Sequence, residues 1–182
     1  GKGALAANTT ADNNAAFGFE ALTTNTTGAA NTSVGRLALG SNTTASNNTA
    51  VGKEALYANT TGGTNTAVGA LALDANTTGS NNTAVGYETL TTQTTGEFNT
   101  AVGMFAGKGL TTGQYNTFIG SGTIAGTGNF GAGSLMTTGS KNTLLGGYNG
   151  NQNSLDLRTS SNHIVLSDGD GNIRIMVNNE GN

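Results

Sequence analysis

The chain has 182 residues, of which only 9% are charged, 35% are hydrophobic and 5% are aromatic, and it contains 30 glycines but no proline or cysteine. The formal net charge of −3 is spread thinly and no cluster of Lys or Arg occurs, so we expect neither nucleic acid nor an anionic membrane surface as a partner. The lack of cysteine excludes disulfides and thiol catalysis, and no apolar run approaches the roughly 18 residues of a membrane-inserted helix.

An internal repeat dominates residues 1–119. Glycine recurs every 17 residues without a slip, and the consensus around it is N-T-A-V-G-x-x-A-L-x-x-N-T-T-G-x-x. The glycine column includes Gly35, Gly52, Gly69, Gly86 and Gly103. Four residues before the glycine stand Asn31, Asn48, Asn65, Asn82, Asn99 and Asn116. One residue before it stand Val34, Val51, Val68, Val85, Val102 and Ile119, and four after it stand Leu22, Leu39, Leu56, Leu73 and Leu90.

This period predicts an all-β parallel solenoid (a β-roll or β-helix) in which each 17-residue coil holds two short strands and two turns. Thr-Ala-Val is β-prone and ends on a glycine that can adopt positive φ, while Asn-Thr-Thr-Gly is turn chemistry. Stacking would place the Val and Leu columns in one continuous core and would align the Asn side chains in amide ladders. Because such a core is thin, we expect a homotrimer in which the small Ala columns face the threefold axis.

The period breaks after residue 119. Glycines in matching sequence context are Gly131 and Gly146, at spacings of 11 and 15, so residues 120–150 are interpreted as shortened, irregular coils that cap the regular shaft of residues 1–119. Residues 151–182 are predicted to form a separate antiparallel β module, because two β-prone runs flank the turn sequence Asp168–Asn172. We also expect the shaft to continue upstream of residue 1, since that residue already occupies the glycine column.

No candidate catalytic, metal or cofactor site emerges from the sequence. His163 is the only histidine and has no neighbouring ligand residues, and the turn at Asp168 lacks the glycine and glutamate of a calcium loop. No G-x-S-x-G motif occurs and the shaft carboxylates are isolated from one another, so we predict that the chain is not an enzyme. Threonine pairs such as Thr60 and Thr61 recur along the shaft and suggest ice binding, although adjacent residues point to different sides.

The N-T-A-V-G repeat resembles those in tail-fibre and other structural proteins of tailed phages, especially marine ones. The segment from Asn162 to Arg174 is similar to the strand-turn-strand that often precedes a self-cleaving chaperone domain in those proteins. The resemblance implies a homotrimeric virion fibre that contacts other virion or fibre proteins and presents a tip binding a cell-surface glycan or protein. A weaker resemblance to the heads of trimeric autotransporter adhesins implies, as an alternative, a bacterial surface adhesin or extracellular filament. An ice-binding solenoid is the second alternative.

Overall fold

The computed structural model describes residues 1–124 and 128–181, and these residues form strands and turns without a helix. Residues 125–127 and 182, which fall within the two C-terminal segments predicted from the sequence, lie outside the described residues. The strands are β1 Ala15–Phe17, β2 Thr32–Val34, β3 Thr49–Val51, β4 Thr66–Val68, β5 Thr83–Val85, β6 Thr100–Val102, β7 Thr117–Ile119, β8 Ser121–Ile124, β9 Gly128–Gly131, β10 Thr143–Leu145, β11 Asn151–Gln152, β12 Leu155–Asp156, β13 Ile164–Ser167 and β14 Ile173–Val177.

One long sheet runs the length of the molecule and confirms the predicted parallel β-solenoid. Its strand order is β1-β2-β3-β4-β5-β6-β7-β10-β13-β14, and every neighbouring pair is parallel except β13 with β14. Equivalent residues of successive coils are paired in register, as Ala50 is with Ala67. The coils therefore stack as direct copies of one another.

Each regular coil contributes one strand to the long sheet, not the two that were predicted. The remainder of each coil consists of turns. Three non-glycine residues per coil adopt a left-handed backbone there, as Glu54 (φ 57), Leu56 (φ 52) and Thr64 (φ 59) do. Backbone hydrogen bonds still connect the turns of successive coils, for example from Leu39 N to Ala55 O at 3.0 Å. The ladder between coils thus extends beyond the sheet.

The core lies between the middle residues of the strands and the leucine column. Ala50, Ala67, Ala84 and Ala101 are fully buried at strand centres, and the predicted core leucines Leu22, Leu39, Leu56, Leu73 and Leu90 are fully buried opposite them. Small alanines on the sheet leave room for the larger leucines, because the space inside a coil cannot hold two branched columns.

The prediction that the valine column belongs to this core is wrong. Val34, Val51, Val68 and Val102 are 36–37% exposed, Ile119 is 42% exposed, and Val85 is partly buried. The reason is the period of two: in a strand of three residues the first and third side chains share the face opposite to the middle one. The sheet therefore presents threonine and valine outward and alanine inward.

The second alanine column also lies inside the coil. Ala21, Ala38, Ala55, Ala72 and Ala106 are fully buried within the single chain. The expectation that these alanines face a threefold axis is therefore wrong, because no surface of theirs is left for a neighbouring chain.

Near the end of the regular shaft, the large and small positions of the core are reversed. Phe118 occupies the strand-centre position that alanine holds in earlier coils, and it is fully buried. The leucine column carries Gly107 and Gly133 at this level, and a Cβ built on either would lie 2.7 or 2.8 Å from the Phe118 ring. The ring fills the space that the missing leucine side chains would occupy, which keeps the core packed.

Asparagine ladders and the glycine column behave as predicted. Asn31, Asn48, Asn65, Asn82, Asn99 and Asn116 are buried, and each Oδ1 accepts the backbone N–H of the next residue in the column, as from Asn65 N to Asn48 Oδ1 at 2.9 Å. Gly35, Gly52, Gly69, Gly86 and Gly103 all have φ between 128° and 142°. A Cβ at Gly52 would lie 2.5 Å from the carbonyl of Gly69, so the coils approach too closely here for any side chain.

The coil after residue 119 is longer than the others, so the expectation of shortened coils over residues 120–150 is wrong. Thr117 pairs with Thr143, and the corresponding hydrogen bond from Asn142 N to Asn116 Oδ1 spans 26 positions, nine more than the 17 of a regular coil. The additional residues leave the coil as an antiparallel hairpin of β8 and β9. We call strands β8 and β9 together the insertion hairpin.

Residues 151–181 continue the solenoid before they leave it. β13 pairs in parallel with β10, so this segment supplies one more coil in addition to the predicted antiparallel pair of β13 and β14. A short hairpin of β11 and β12 lengthens that coil to the 21 positions that separate Asn142 from His163. The module that was expected to be separate therefore shares the sheet of the shaft.

Candidate functional surfaces

The turn between β13 and β14 is organised by Asp168. Its Oδ1 accepts the backbone N–H groups of Asp170 at 3.1 Å and Asn172 at 2.9 Å, and its Oδ2 accepts hydrogen bonds from the Asn172 side chain and Arg174. The bonds from Asn172 and the nearby Arg174 lower the pKa of this carboxyl group below its ordinary value. The carboxylate is thus occupied in holding the hairpin turn.

His163 occupies a ladder position. It is 9% exposed, and its backbone N–H donates to Asn142 Oδ1 at 3.0 Å, just as an asparagine does at this position in the earlier coils. Among residues 1–124 and 128–181 no group of three or more His, Cys, Asp or Glu side chains is arranged to hold a metal ion.

The largest regular surface is the outward side of the long sheet, which we call the outer sheet face. It consists of the first and third residues of each parallel strand, together with Val177 and Ile175 of β14, which pair with Ile164 and Leu166 of β13 respectively. The first residues are Ala15, Thr32, Thr49, Thr66, Thr83, Thr100, Thr117, Thr143 and Ile164. The third residues are Phe17, Val34, Val51, Val68, Val85, Val102, Ile119, Leu145 and Leu166.

None of these outer-face residues carries a charge. The ion pairs of the shaft lie in the turns that follow the glycine column, such as Arg36 with Glu54 at 2.6 Å. The outer sheet face is therefore an uncharged strip in which a hydroxyl column runs beside an apolar column. An exposed apolar strip of this regularity is typical of an interaction surface.

A second surface lies beside the insertion hairpin. Phe130 of β9 forms a cleft of about 270 Å³ with Thr92, Phe105, Lys108, Gly109, Ser134 and Leu135. Lys108 forms an ion pair with Glu88, and its ammonium group lies 4.7 Å from the centre of the Phe105 ring. The hydrogen bond from Lys108, together with one from Tyr87, lowers the pKa of Glu88 below its ordinary value. We call this the aromatic cleft.

In each of the threonine pairs identified in the sequence, one side chain bonds to the next coil and the other is exposed to solvent. Thr60 Oγ1 donates to Thr77 O at 3.1 Å in the next coil, and Thr77 Oγ1 donates to Thr94 O at 3.1 Å. The following residues, Thr61 and Thr78, are exposed at the turn. One threonine of each pair therefore connects coils, and the pair does not form a flat double array.

Sequence reasoning missed both surfaces. The valine column was identified but assigned to the wrong side of the sheet, and the aromatic cleft was not predicted. A signal for the cleft was present, because Phe105 and Phe130 are aromatic residues that do not belong to the repeat consensus.

Within residues 1–124 and 128–181, the structure contains no helix of the length and apolar character needed to cross a membrane. No protein-family model, no curated protein and no solved structure matches this chain.

Proposed function

We propose that the chain is a structural fibre segment, a rod that associates with copies of itself as a homotrimer and holds an attachment tip at a distance from the particle or cell that carries it. The observation that supports this most is the register: equivalent residues of successive coils are paired without a shift from β1 to β7. Each coil adds about 4.8 Å, so the ten strands of the long sheet span about 45 Å.

The ladder supports a stiff rod. Neighbouring coils are joined at the sheet, at the asparagine ladder and at the turns, as by the bonds from Asn42 Nδ2 to Asn25 Oδ1 at 2.8 Å and from Thr26 N to Thr43 O at 2.9 Å. Bending the rod in any direction would stretch one of these rows of bonds. A spacer needs this property, and it needs no pocket or reactive group.

The outer sheet face supports self-association. Three strand residues and one neighbour at each end span about 16 Å, so a strip about 45 Å long covers about 700 Å². A stable protein–protein interface buries about 800 Å² per partner, and in a trimer that closes around this face each chain would bury the whole strip, shared between its two neighbours. Association would also cover the valine column, which adds apolar burial to a chain whose core is only one alanine and one leucine column thick.

The fibre would be located on a virion or a cell surface. In a virion it would join other fibre proteins at one end and support a domain that recognises a cell-surface glycan or protein at the other. A bacterial adhesin of the trimeric autotransporter type would use the same rod in the same way.

Sedimentation equilibrium of the full chain tests the proposal. We expect a mass three times the 18.0 kDa of one chain, and a Val68→Asp variant that is folded but smaller. Thr78→Asp is the matched control, because Thr78 is exposed at a turn outside the outer sheet face, and it should leave the mass unchanged. A stable monomer over the whole concentration range would contradict the proposal.

Ice binding is a second candidate, favoured by the same face. Its threonine and valine columns are about 6.6 Å apart along the strand and repeat about every 4.8 Å, so hydroxyl and methyl groups form a regular two-dimensional array. Thermal hysteresis that is lost in Thr66→Tyr, where a ring would protrude from the face, would support this function over association. A chain without thermal hysteresis would exclude it.

A further inference from the structure

The outer sheet face changes composition at the end that carries β14. Its first column is threonine from β2 to β7 and in β10, whereas Ile164 and Val177 occupy that column in β13 and β14. Its third column is valine or isoleucine from β2 to β7 and becomes Leu145, Leu166 and Ile175 in the last three strands. We call Leu145, Ile164, Leu166, Ile175 and Val177 the terminal patch. In its last two strands both columns are apolar.

The terminal patch offers more apolar surface to a partner than the regular coils do. Ile164 is 45% exposed and Ile175 is 55% exposed, whereas the smaller valines of β2, β3, β4 and β6 are 36–37% exposed. β14 ends the long sheet, and no further strand of residues 1–124 and 128–181 pairs with its other edge. Hydrophobic free energy scales with the apolar area removed from water, so each isoleucine of the patch would contribute more on association than a valine of a regular coil.

Folding of the single chain does not require these residues to be apolar. Threonine suits a strand as isoleucine does, and it fills the same outward column from β2 to β7. The core contact of β13 is made by Val165, which is fully buried on the opposite side of the strand. Adjacent apolar side chains that are exposed without serving the core are typical of an interaction site.

The chemistry of the terminal patch fits further copies of the same patch. It carries no charge, so copies would not repel one another, and Arg174 of the same strand is paired with Asp168 at 2.6 Å. In a closed ring of identical chains each residue lies at the same height as its equivalents, so patch would meet patch. A neighbour in the opposite orientation would instead bring the threonine column of the early coils, including Thr32 and Thr49, against apolar side chains.

We propose that the terminal patch supplies most of the free energy that holds copies of the chain together, each patch packing against the patches of its neighbours. This inference rests on the proposed self-association through the outer sheet face and assigns its main contacts. Three strands about 4.8 Å apart and about 16 Å wide cover about 230 Å², so the patch is about a third of the face. A small share of the residues commonly carries most of the binding free energy of an interface. The regular coils then serve mainly to give the rod its length.

Paired threonine substitutions in the full chain test the proposal. Ile164→Thr combined with Ile175→Thr gives the patch the residue of the regular coils, and sedimentation equilibrium should show that the concentration needed for half association rises at least about 100-fold. Val34→Thr combined with Val51→Thr is the matched control, because it makes the same kind of change at two exposed positions of the same face, in β2 and β3. We expect that control to raise the concentration less than about 10-fold.

Melting followed by circular dichroism separates association from folding. All four substituted side chains are exposed, so in dilute samples neither double variant should lower the melting temperature by more than about 4 °C. The proposal is overturned if the control weakens association as much as the patch variant does, although self-association itself would then stand. A parent chain that sediments as a monomer at every concentration overturns the fibre proposal together with this one, so the two failures are distinguishable.

Discussion

Aspartate substitutions at two adjacent positions of β4 should have opposite consequences. Ala67 is fully buried between Ala50 and Ala84 of the neighbouring coils, whereas Val68 is 36% exposed on the outer sheet face. Ala67→Asp would bury a carboxyl group without a partner, at a cost of about 2–7 kcal/mol even when protonated. Forcing the added atoms into the packed column costs about 1–3 kcal/mol more. The total is comparable with the whole stability of a typical domain, about 5–15 kcal/mol.

Val68→Asp should cost less than about 1.5 kcal/mol in the single chain, because the side chain already contacts water and only part of its burial is lost. Melting followed by far-UV circular dichroism, at concentrations where association is absent, measures the difference. A change of 1 kcal/mol shifts the melting temperature of a chain this size by about 2–4 °C, so we expect a shift of at least about 6 °C for Ala67→Asp and below about 6 °C for Val68→Asp.

Ala67→Ser is the matched control for the buried position. Ser33 already occupies the same column and donates from Oγ to Ala38 O at 2.7 Å, so a hydroxyl group here finds a partner and the variant should melt near the parent. If Val68→Asp proves more destabilising than Ala67→Asp, the assignment of inner and outer faces is incorrect.

Four further substitutions test other parts of the fold. Gly52→Ala should prevent folding, judged by circular dichroism, because the new Cβ would lie 2.5 Å from a backbone carbonyl, whereas Gly169→Ala should be neutral because nothing lies within 4 Å. Asn59→Ala removes side-chain bonds to both adjacent coils and should lower the urea unfolding free energy by about 1–3 kcal/mol. Burial raises the pKa of Tyr148 above its ordinary value of 10.0, so the stability that this proton provides is complete below that pH and is lost as the pH rises above it. Tyr148→Phe should therefore reduce the difference between urea midpoints at about pH 8 and about pH 11, and should cost about 1 kcal/mol at the lower pH for the lost bond to a backbone carbonyl.

The coil and its register were predictable because stacking imposes them. A period of 17 without a slip requires equivalent residues to lie above one another, and buried asparagines in ladders follow from that geometry. Which side chains of each strand face the core was not predictable in the same way. A strand such as Thr66–Val68 is too short for an alternating pattern to identify its buried face, and hydrophobicity alone favours valine inside. The volume of Leu56 and its equivalents, which reach the core from a turn, decides in favour of alanine.

The insertion was misread for a related reason. Gly131 looks like a repeat glycine, but the next residue in that column is Gly146, whose carbonyl would lie 2.3 Å from a Cβ on Gly120. The spacings between glycines could not show whether Gly131 or Gly146 continues the column, because only the pairing between strands reveals this. Phe105 and Phe130, as departures from the consensus, carried the information about the cleft.

The stacked ladder also determines how the molecule would respond to mechanical tension. The bonds between coils run along the axis of the rod, so a pulling force loads one coil boundary at a time and detaches coils in sequence. Each regular coil would release its 17 residues as an extension of about 55 Å, the extended length of the segment less one coil rise. The coils of 26 and 21 residues would give longer steps of about 85 and 70 Å. A force–extension trace of this chain would therefore read out the repeat as a series of equal steps, with the two lengthened coils marking the end that carries β14.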